Sequence, residues 1–121
     1  MRYWDASALV PLVVAEDSSK RVRALLRDDP AIVTWAWTRI EIVSAIERRA
    51  REGTLSREMR RECLSRFEAF AEHWDEIVDL LAVRTRAMTI LARQEVRAAD
   101  AAQLAAAMLL AEDDPSSIEL V

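Results

Sequence analysis

The chain has 121 residues, of which 52% are hydrophobic and 31% charged, a composition that fits one folded domain and excludes a disordered chain. One glycine and three prolines are too few for a loop-rich all-β fold, so we expect helices to dominate. The formal net charge of −4 argues against binding through phosphate contacts alone, although all but one of the 17 basic residues are arginine.

The apolar runs and rare residues exclude further classes of protein. The longest apolar runs, at 8–15 and 104–111, are too short to span a bilayer, and we expect no secretory signal at the N-terminus. A single cysteine, Cys63, cannot form an internal disulfide, and we expect it to pack within a helix. The single histidine, His73, argues against a histidine-based triad or a zinc site with several histidines.

The first third of the chain predicts two strands and two helices. We predict strands at 2–4 and 31–35, and helices at roughly 6–15 and 17–28. Pro11 is expected near the start of the first helix, where the first turn tolerates proline. The second helix should end before Asp29, because Pro30 disfavours helical backbone in the residue that precedes it.

The middle of the chain predicts a helical hairpin. A long helix at roughly 37–52 should bury apolar residues spaced by three and four, namely Ile40, Val43, Ile46 and Ala50. Gly53 is placed to end this helix, and Ser56 to cap the next one at roughly 57–73. The second helix should face inward with Met59, Leu64, Phe67, Phe70 and Ala71.

The last third predicts a third strand within 77–83, helices at roughly 84–94 and 98–112, and a fourth strand at 118–121. Strands separated by helices imply parallel pairing through right-handed crossovers. We therefore expect a single α/β domain over 1–121, built as a three-layer α/β/α sandwich. Functional sites in such folds lie beyond the carboxyl ends of the strands.

Three carboxylates stand among apolar or small residues near the ends of predicted elements. Asp5 follows the first strand, Glu41 lies one turn into the long helix, and Asp100 begins the last helix. Each has a structural alternative: Asp5 as an N-cap, Glu41 in a capping box with Thr38, and Asp100 as a complement to the helix dipole. Taken one at a time, each of these three structural alternatives is as plausible as a functional role.

Converging carboxylates repel one another and require a cation. Oxygen ligands without histidine or thiolate suit a hard ion such as Mg²⁺ or Mn²⁺. Such an ion activates a water molecule while it orients a phosphodiester, which would reconcile an acidic site with a polyanionic substrate. Ser7, two residues after Asp5, has a hydroxyl that could hydrogen-bond a ligating carboxylate or contact phosphate.

Three segments in this order resemble one known family. DASAL (5–9), TRIEIVSAIERR (38–49) and VRAADAAQLAAA (96–107) are similar to the motifs of PIN domains in VapC-type toxins of bacterial toxin–antitoxin pairs. The resemblance covers nearly the whole chain. Each motif is loose by itself, whereas the ordered set with an intervening helical hairpin is fairly specific.

The resemblance implies a PIN-like α/β/α fold and a cytoplasmic, Mg²⁺- or Mn²⁺-dependent ribonuclease. It implies homodimerisation and inhibition by a VapB-type antitoxin. Asp5, Glu41 and Asp100 match the acidic metal-site positions, and Ser7 matches the small hydroxyl-bearing position. Arg48 or Arg49 falls where the family often has an arginine.

One departure from the family concerns the end of the chain. The family usually places a further acid after the strand that 118–121 resembles, followed by a helix, whereas this sequence ends at Val121. We therefore expect the chain to lack a fourth carboxylate and the closing elements. Glu112, Asp113 and Asp114 precede that strand, and we interpret them as a solvated helix end.

Tryptophans and arginines offer further candidates for contacts with RNA. The tryptophans could stack on bases, but we favour packing for all of them: Trp4, Trp35, Trp37 and Trp74. The hairpin also contains six arginines, with three possible roles. They could bind RNA phosphates, bind an acidic antitoxin, or form ion pairs with neighbouring glutamates. These arginines are Arg48, Arg49, Arg51, Arg57, Arg60 and Arg61.

Two other classes of function remain open. Phosphotransferases that use an aspartate as a nucleophile also start with a strand followed by that aspartate. They usually have a second acid at the position where this chain has Ser7. A non-catalytic PIN-like module would keep the fold and bind an antitoxin without cleaving RNA, and the missing fourth acid favours that hypothesis.

Overall fold

The chain is a helix-rich α/β protein with a small parallel sheet, as the composition and the alternation of elements predicted. A computed structural model describes residues 1–112 and 114–121, so Asp113, one of the predicted helix-end acids, lies outside the described residues. The strands are β1 (Arg2–Tyr3), β2 (Val33–Trp35), β3 (Asp75–Ile77) and β4 (Glu119–Leu120). The helices are α1 (Ala6–Val13), α2 (Ser19–Asp28), α3 (Thr38–Arg51), α4 (Arg57–Ala71), α5 (Leu80–Arg93) and α6 (Ala98–Leu110), with a 3-10 turn at Pro115–Ser117.

The four strands pair in the order β3-β2-β1-β4, and every pair is parallel. Tyr3 aligns with Val33 of β2 on one side and with Leu120 of β4 on the other. Parallel pairing confirms the prediction from the alternating strands and helices. None of the described helices is long and apolar enough to cross a membrane.

The residues divide into two compact units. The sheet unit comprises Met1–Asp5, Ile32–Ala36 and Asp75–Val121, and the helical unit comprises Ala6–Ala31 and Trp37–Trp74. The sheet unit holds all four strands with α5 and α6, whereas the helical unit holds α1 to α4.

Alanines on α6 build the core of the sheet unit. Ala101, Ala105 and Ala106 are fully buried, and they pack in one cluster with Val83 and Ile90 of α5. Small side chains let helix axes approach closely, so α6 packs tightly against α5 and β2. This packing fixes the position of α6, which carries Asp100.

The core of the helical unit centres on α1, whose residues Leu9 to Val13 are all buried. Pro11 lies at the sixth position of α1, so the prediction that it stands near the helix start was wrong, and the helix ends two residues later. Arg66 of α4 donates from Nη1 to the Val13 carbonyl oxygen at 2.8 Å, which satisfies one of the carbonyls left free at the helix end.

The helix ends in the hairpin follow local sequence signals. Ser56 caps α4 by accepting a hydrogen bond from the Met59 amide at 3.1 Å, and Gly53 adopts a φ of 81° just beyond α3. Both predictions are confirmed. Cys63 is buried in α4, also as predicted.

The buried faces of the hairpin helices differ from the prediction. Ile40 is 52% exposed and Met59 is 47% exposed, although both were expected to face inward. The buried residues of α3 are Thr38, Ile42, Ala45 and Ile46. The face that packs is chosen by the helices around it, and an apolar spacing of three and four fits more than one face.

The third strand and the fifth helix begin earlier than predicted. The strand ends at Ile77, and Asp79 then caps α5 by accepting from the Ala82 amide at 3.0 Å. Most of the apolar run assigned to a strand is therefore the first turn of a helix. Short apolar runs suit either element, and the N-cap aspartate is the local signal that decides between them here.

Candidate active site

Asp5 lies directly beyond the carboxyl end of β1, where backbone hydrogen bonds on both sides hold the chain. The Trp4 amide donates to the Val33 carbonyl at 2.8 Å, and the Asp5 amide donates to the Val121 carbonyl at 3.1 Å. The side chain of Asp5 is half-buried. The strand register therefore places a carboxylate at a defined position on the rim of the sheet.

Asp100 lies in the first turn of α6, and its side chain is 59% exposed. Its Oδ2 stands 3.7 Å from Nε of Arg97, which is the N-cap residue of the same helix. This placement agrees with the dipole interpretation, since a helix N-terminus favours an acidic side chain. The same placement leaves the carboxylate available to solvent and ions.

A buried hydrogen bond ties α6 to β1. The Tyr3 hydroxyl donates to Oε1 of Gln103 at 2.5 Å, and both side chains are almost fully buried. Because α6 leads into β4, which runs parallel to β1, the N-terminus of α6 lies at the carboxyl edge of the sheet. The topology thus brings Asp5 and Asp100 to the same edge of the sheet unit.

Glu41 occupies the first turn of α3 in the helical unit, and its side chain is half-buried. The capping-box alternative for this residue is wrong. The helix starts with Trp37 at the N-cap, and among the described residues no side chain caps it, while Thr38 is buried inside the first turn.

The remaining predicted residues, Ser7, Arg48 and Arg49, all lie in the helical unit. Ser7 is exposed in the first turn of α1. Arg49 pairs through Nη2 with Glu16, while its buried Nη1 has no hydrogen-bond partner within the part of the chain that is described. Arg48 is exposed and forms no ion pair with any described residue, so the structure distinguishes two arginines that the sequence left equivalent.

The donor chemistry of these acids fits a hard divalent cation, because carboxylate oxygens are the ligands that Mg²⁺ and Mn²⁺ prefer. Within residues 1–112 and 114–121, no group of three or more histidine, cysteine, aspartate or glutamate side chains is close enough to hold a metal ion. Asp5 and Asp100 would supply two ligands from the sheet unit.

Two groups outside these acids have shifted pKa values with clear causes. Burial raises the pKa of the Cys63 thiol above its ordinary value of 9.0, against the opposing effects of Arg66 and Arg49. Hydrogen bonds from the hydroxyl and then the amide of Ser116 lower the pKa of Asp114, which caps the 3-10 turn. Asp114 is exposed, as predicted, but it caps the 3-10 turn and does not belong to the end of α6.

Trp37 is the one tryptophan that lies elsewhere than predicted. Trp4, Trp35 and Trp74 are buried as expected, whereas Trp37 is 55% exposed. A signal existed in the sequence, because Trp37 shares one helical face with Glu41, Ser44 and Arg48, at spacings of four, three and four. A polar face that starts with a tryptophan is a poor candidate for the core.

Comparison with models of protein families finds no match to this chain, and comparison with curated proteins finds none either.

Proposed function

We propose that this protein is a divalent-metal-dependent endoribonuclease, the toxin of a VapBC-type toxin–antitoxin pair. The observation that carries the proposal is the placement of Asp5 and Asp100 at the carboxyl edge of one parallel sheet. That edge is where ligands bind in open α/β sheets. The ordered motifs around Asp5, Glu41 and Asp100, and their resemblance to PIN domains, support the same proposal.

The proposed reaction is hydrolysis of an RNA phosphodiester, in which water attacks phosphorus and the bond to the leaving oxygen breaks. Asp5, Glu41 and Asp100 would hold Mg²⁺ or Mn²⁺ through carboxylate oxygens. When bound, the ion would supply Lewis-acid chemistry that activates water and offsets the negative charge developing on the phosphoryl oxygens.

The protein's own residues would orient the substrate around that chemistry. The Ser7 hydroxyl would donate a hydrogen bond to a carboxylate or to a phosphate oxygen. Arg48, which is exposed and has no ion-pair partner among the described residues, would contact phosphate. Arg49 is already paired with Glu16 and would instead support α3.

The proposed partners follow from the same resemblance. RNA is the substrate, a VapB-type antitoxin is the inhibitor, and the toxin forms a homodimer in the cytoplasm. Light scattering of the purified chain, alone and with the protein encoded beside it, tests the two protein partners. A chain that stays monomeric and does not bind the protein encoded beside it would contradict this part of the proposal.

The enzymatic proposal is tested by RNA cleavage in Mg²⁺ or Mn²⁺. The wild-type chain should cleave RNA, and excess EDTA, Asp5→Asn or Asp100→Asn should abolish cleavage. Asp17→Asn, which removes an exposed carboxylate of the helical unit, is the matched control and should cleave like wild type. Cleavage that survives EDTA or Asp5→Asn, in variants with wild-type thermal melting curves, would refute the proposal.

A second candidate function keeps the same fold but has no catalytic activity. Under this alternative the chain is a non-catalytic module that binds an antitoxin without cleaving RNA. Nanomolar binding of the antitoxin, with no metal-dependent cleavage over a range of Mg²⁺ and Mn²⁺ concentrations, would select the binding module over the nuclease.

A further inference from the structure

One side of α3 carries a row of side chains that are exposed, apart from the half-buried Glu41. Trp37, Glu41, Ser44 and Arg48 follow one another at spacings of four, three and four, and Arg51 continues the row. These spacings place them on one helical face, which we call the α3 stripe. The buried residues of α3, including Ile42 and Ile46, lie on the other side.

The α3 stripe has an aromatic end and a cationic end. Trp37 is 55% exposed, while Arg48 and Arg51 are exposed and form no ion pair within residues 1–112 and 114–121. Other arginines of the hairpin are used internally, since Arg60 pairs with Glu47 at 2.7 Å and Arg49 pairs with Glu16. Arg48 and Arg51, like Arg57 and Arg61 of α4, are exposed and have no ion-pair partner among the described residues, so they are available to a ligand.

The pattern of the stripe distinguishes between two kinds of occupant. A protein helix that docks on α3 would need apolar anchors repeated along the whole face. Here the exposed apolar residues, Trp37 and Ile40, stop after one turn, and Ser44 and the two arginines occupy the rest. One aromatic platform followed by cations is the arrangement by which proteins bind single-stranded nucleic acid, with a base stacked and phosphates held.

We propose that the α3 stripe binds single-stranded RNA, with a base stacked on Trp37 and phosphates held by Arg48 and Arg51. The inference rests on the proposed ribonuclease function and specifies how that function takes its substrate. Glu41 lies one turn from Trp37 on the stripe. An RNA strand bound to the stripe would therefore pass Glu41, which is a proposed metal ligand. Trp37 and Arg48 are eleven residues apart, about 16 Å along the helix.

Binding of a fluorescein-labelled single-stranded RNA in excess EDTA tests the inference without cleavage. Trp37→Ala should weaken binding by about 5- to 150-fold, the loss expected for one stacked base, whereas Trp37→Tyr should stay within a few-fold of wild type. The double variant Arg48→Ala, Arg51→Ala should lower the slope of log affinity against log salt by about 1.4, since each phosphate contact contributes about 0.7.

A matched control uses two exposed arginines of α2, Arg23→Ala with Arg27→Ala, which should leave affinity and salt dependence unchanged. All substituted side chains are exposed, and thermal melting verifies that each variant folds.

If wild type binds RNA and the stripe variants bind equally well, the inference is overturned while the nuclease proposal stands. If the stripe variants lose binding but wild type never cleaves RNA, the inference stands and the nuclease proposal fails. If wild type binds no RNA, both fail.

Discussion

At the scale of single residues, the buried Tyr3–Gln103 hydrogen bond is a long-range contact beside the proposed catalytic edge. It joins β1, which ends at Asp5, to the helix whose first turn holds Asp100. Neither residue is unusual in the sequence, and they are separated by 100 positions. This long-range contact could not be predicted locally, because nothing in the two segments specifies that their elements are neighbours.

We expect Tyr3→Phe to lower the free energy of unfolding by about 1–2 kcal/mol, because it removes a buried hydrogen bond to an amide. Urea denaturation measures this change, and a double-mutant cycle with Gln103→Leu isolates the coupling. The exposed Gln94→Leu serves as the control and should shift stability by less than about 0.5 kcal/mol. A coupling energy near zero would show that the bond does not stabilise the fold.

Cys63 supplies a second test at the residue scale. Burial raises the pKa of its thiol, so the folded state keeps the proton longer than the unfolded state does. This contribution to stability is present below the ordinary pKa of 9.0 and is lost as the pH rises through the higher folded value. We expect alkylation by iodoacetamide to be slow in the native protein and fast in urea.

An exposed thiol on the same helix controls for the chemistry of alkylation. Ser65→Cys in a Cys63→Ser background places a thiol at an exposed position of α4 and should react quickly with or without urea. Fast alkylation of native Cys63, at the rate of this control, would contradict the burial on which the pKa argument depends.

At the scale of elements, helix ends were predictable and helix faces were not. Ser56 and Gly53 act through their own backbone and near neighbours, so the sequence alone places them correctly. The inward face of α3 depends on which helices surround it, and the prediction for Ile40 therefore failed. The candidate site shows the same contrast, since the location of each acid in its element was predictable, whereas the strand order that gives Asp5 its place beyond a central strand was not.

The cap of α4 gives a quantitative test of this local control. We expect Ser56→Ala to lower the free energy of unfolding by about 1 kcal/mol, because the Met59 amide loses its acceptor. Ser65→Ala is the matched control, since Ser65 is exposed within the same helix and alanine favours helix there. Equal effects of the two substitutions in chemical denaturation would contradict the capping role.

At the scale of the whole molecule, the strand order decides what the separate motifs can do. The sequence predicts parallel strands, but no local sequence pattern predicts the strand order β3-β2-β1-β4. That order places β1 between β2 and β4, so Asp5 follows a central strand with hydrogen-bonded neighbours on both sides. A central strand end is a rigid place for a proposed ligand of the metal.

Calorimetric titration with Mn²⁺ is the decisive test of the proposal that Asp5, Glu41 and Asp100 bind a divalent cation. We predict a single ion per wild-type chain and a loss of affinity of about tenfold or more in Asp5→Asn, Glu41→Gln and Asp100→Asn. Asp17→Asn should bind the ion like wild type. Absence of binding by the wild-type chain, or equal binding by all three variants, would contradict the claim.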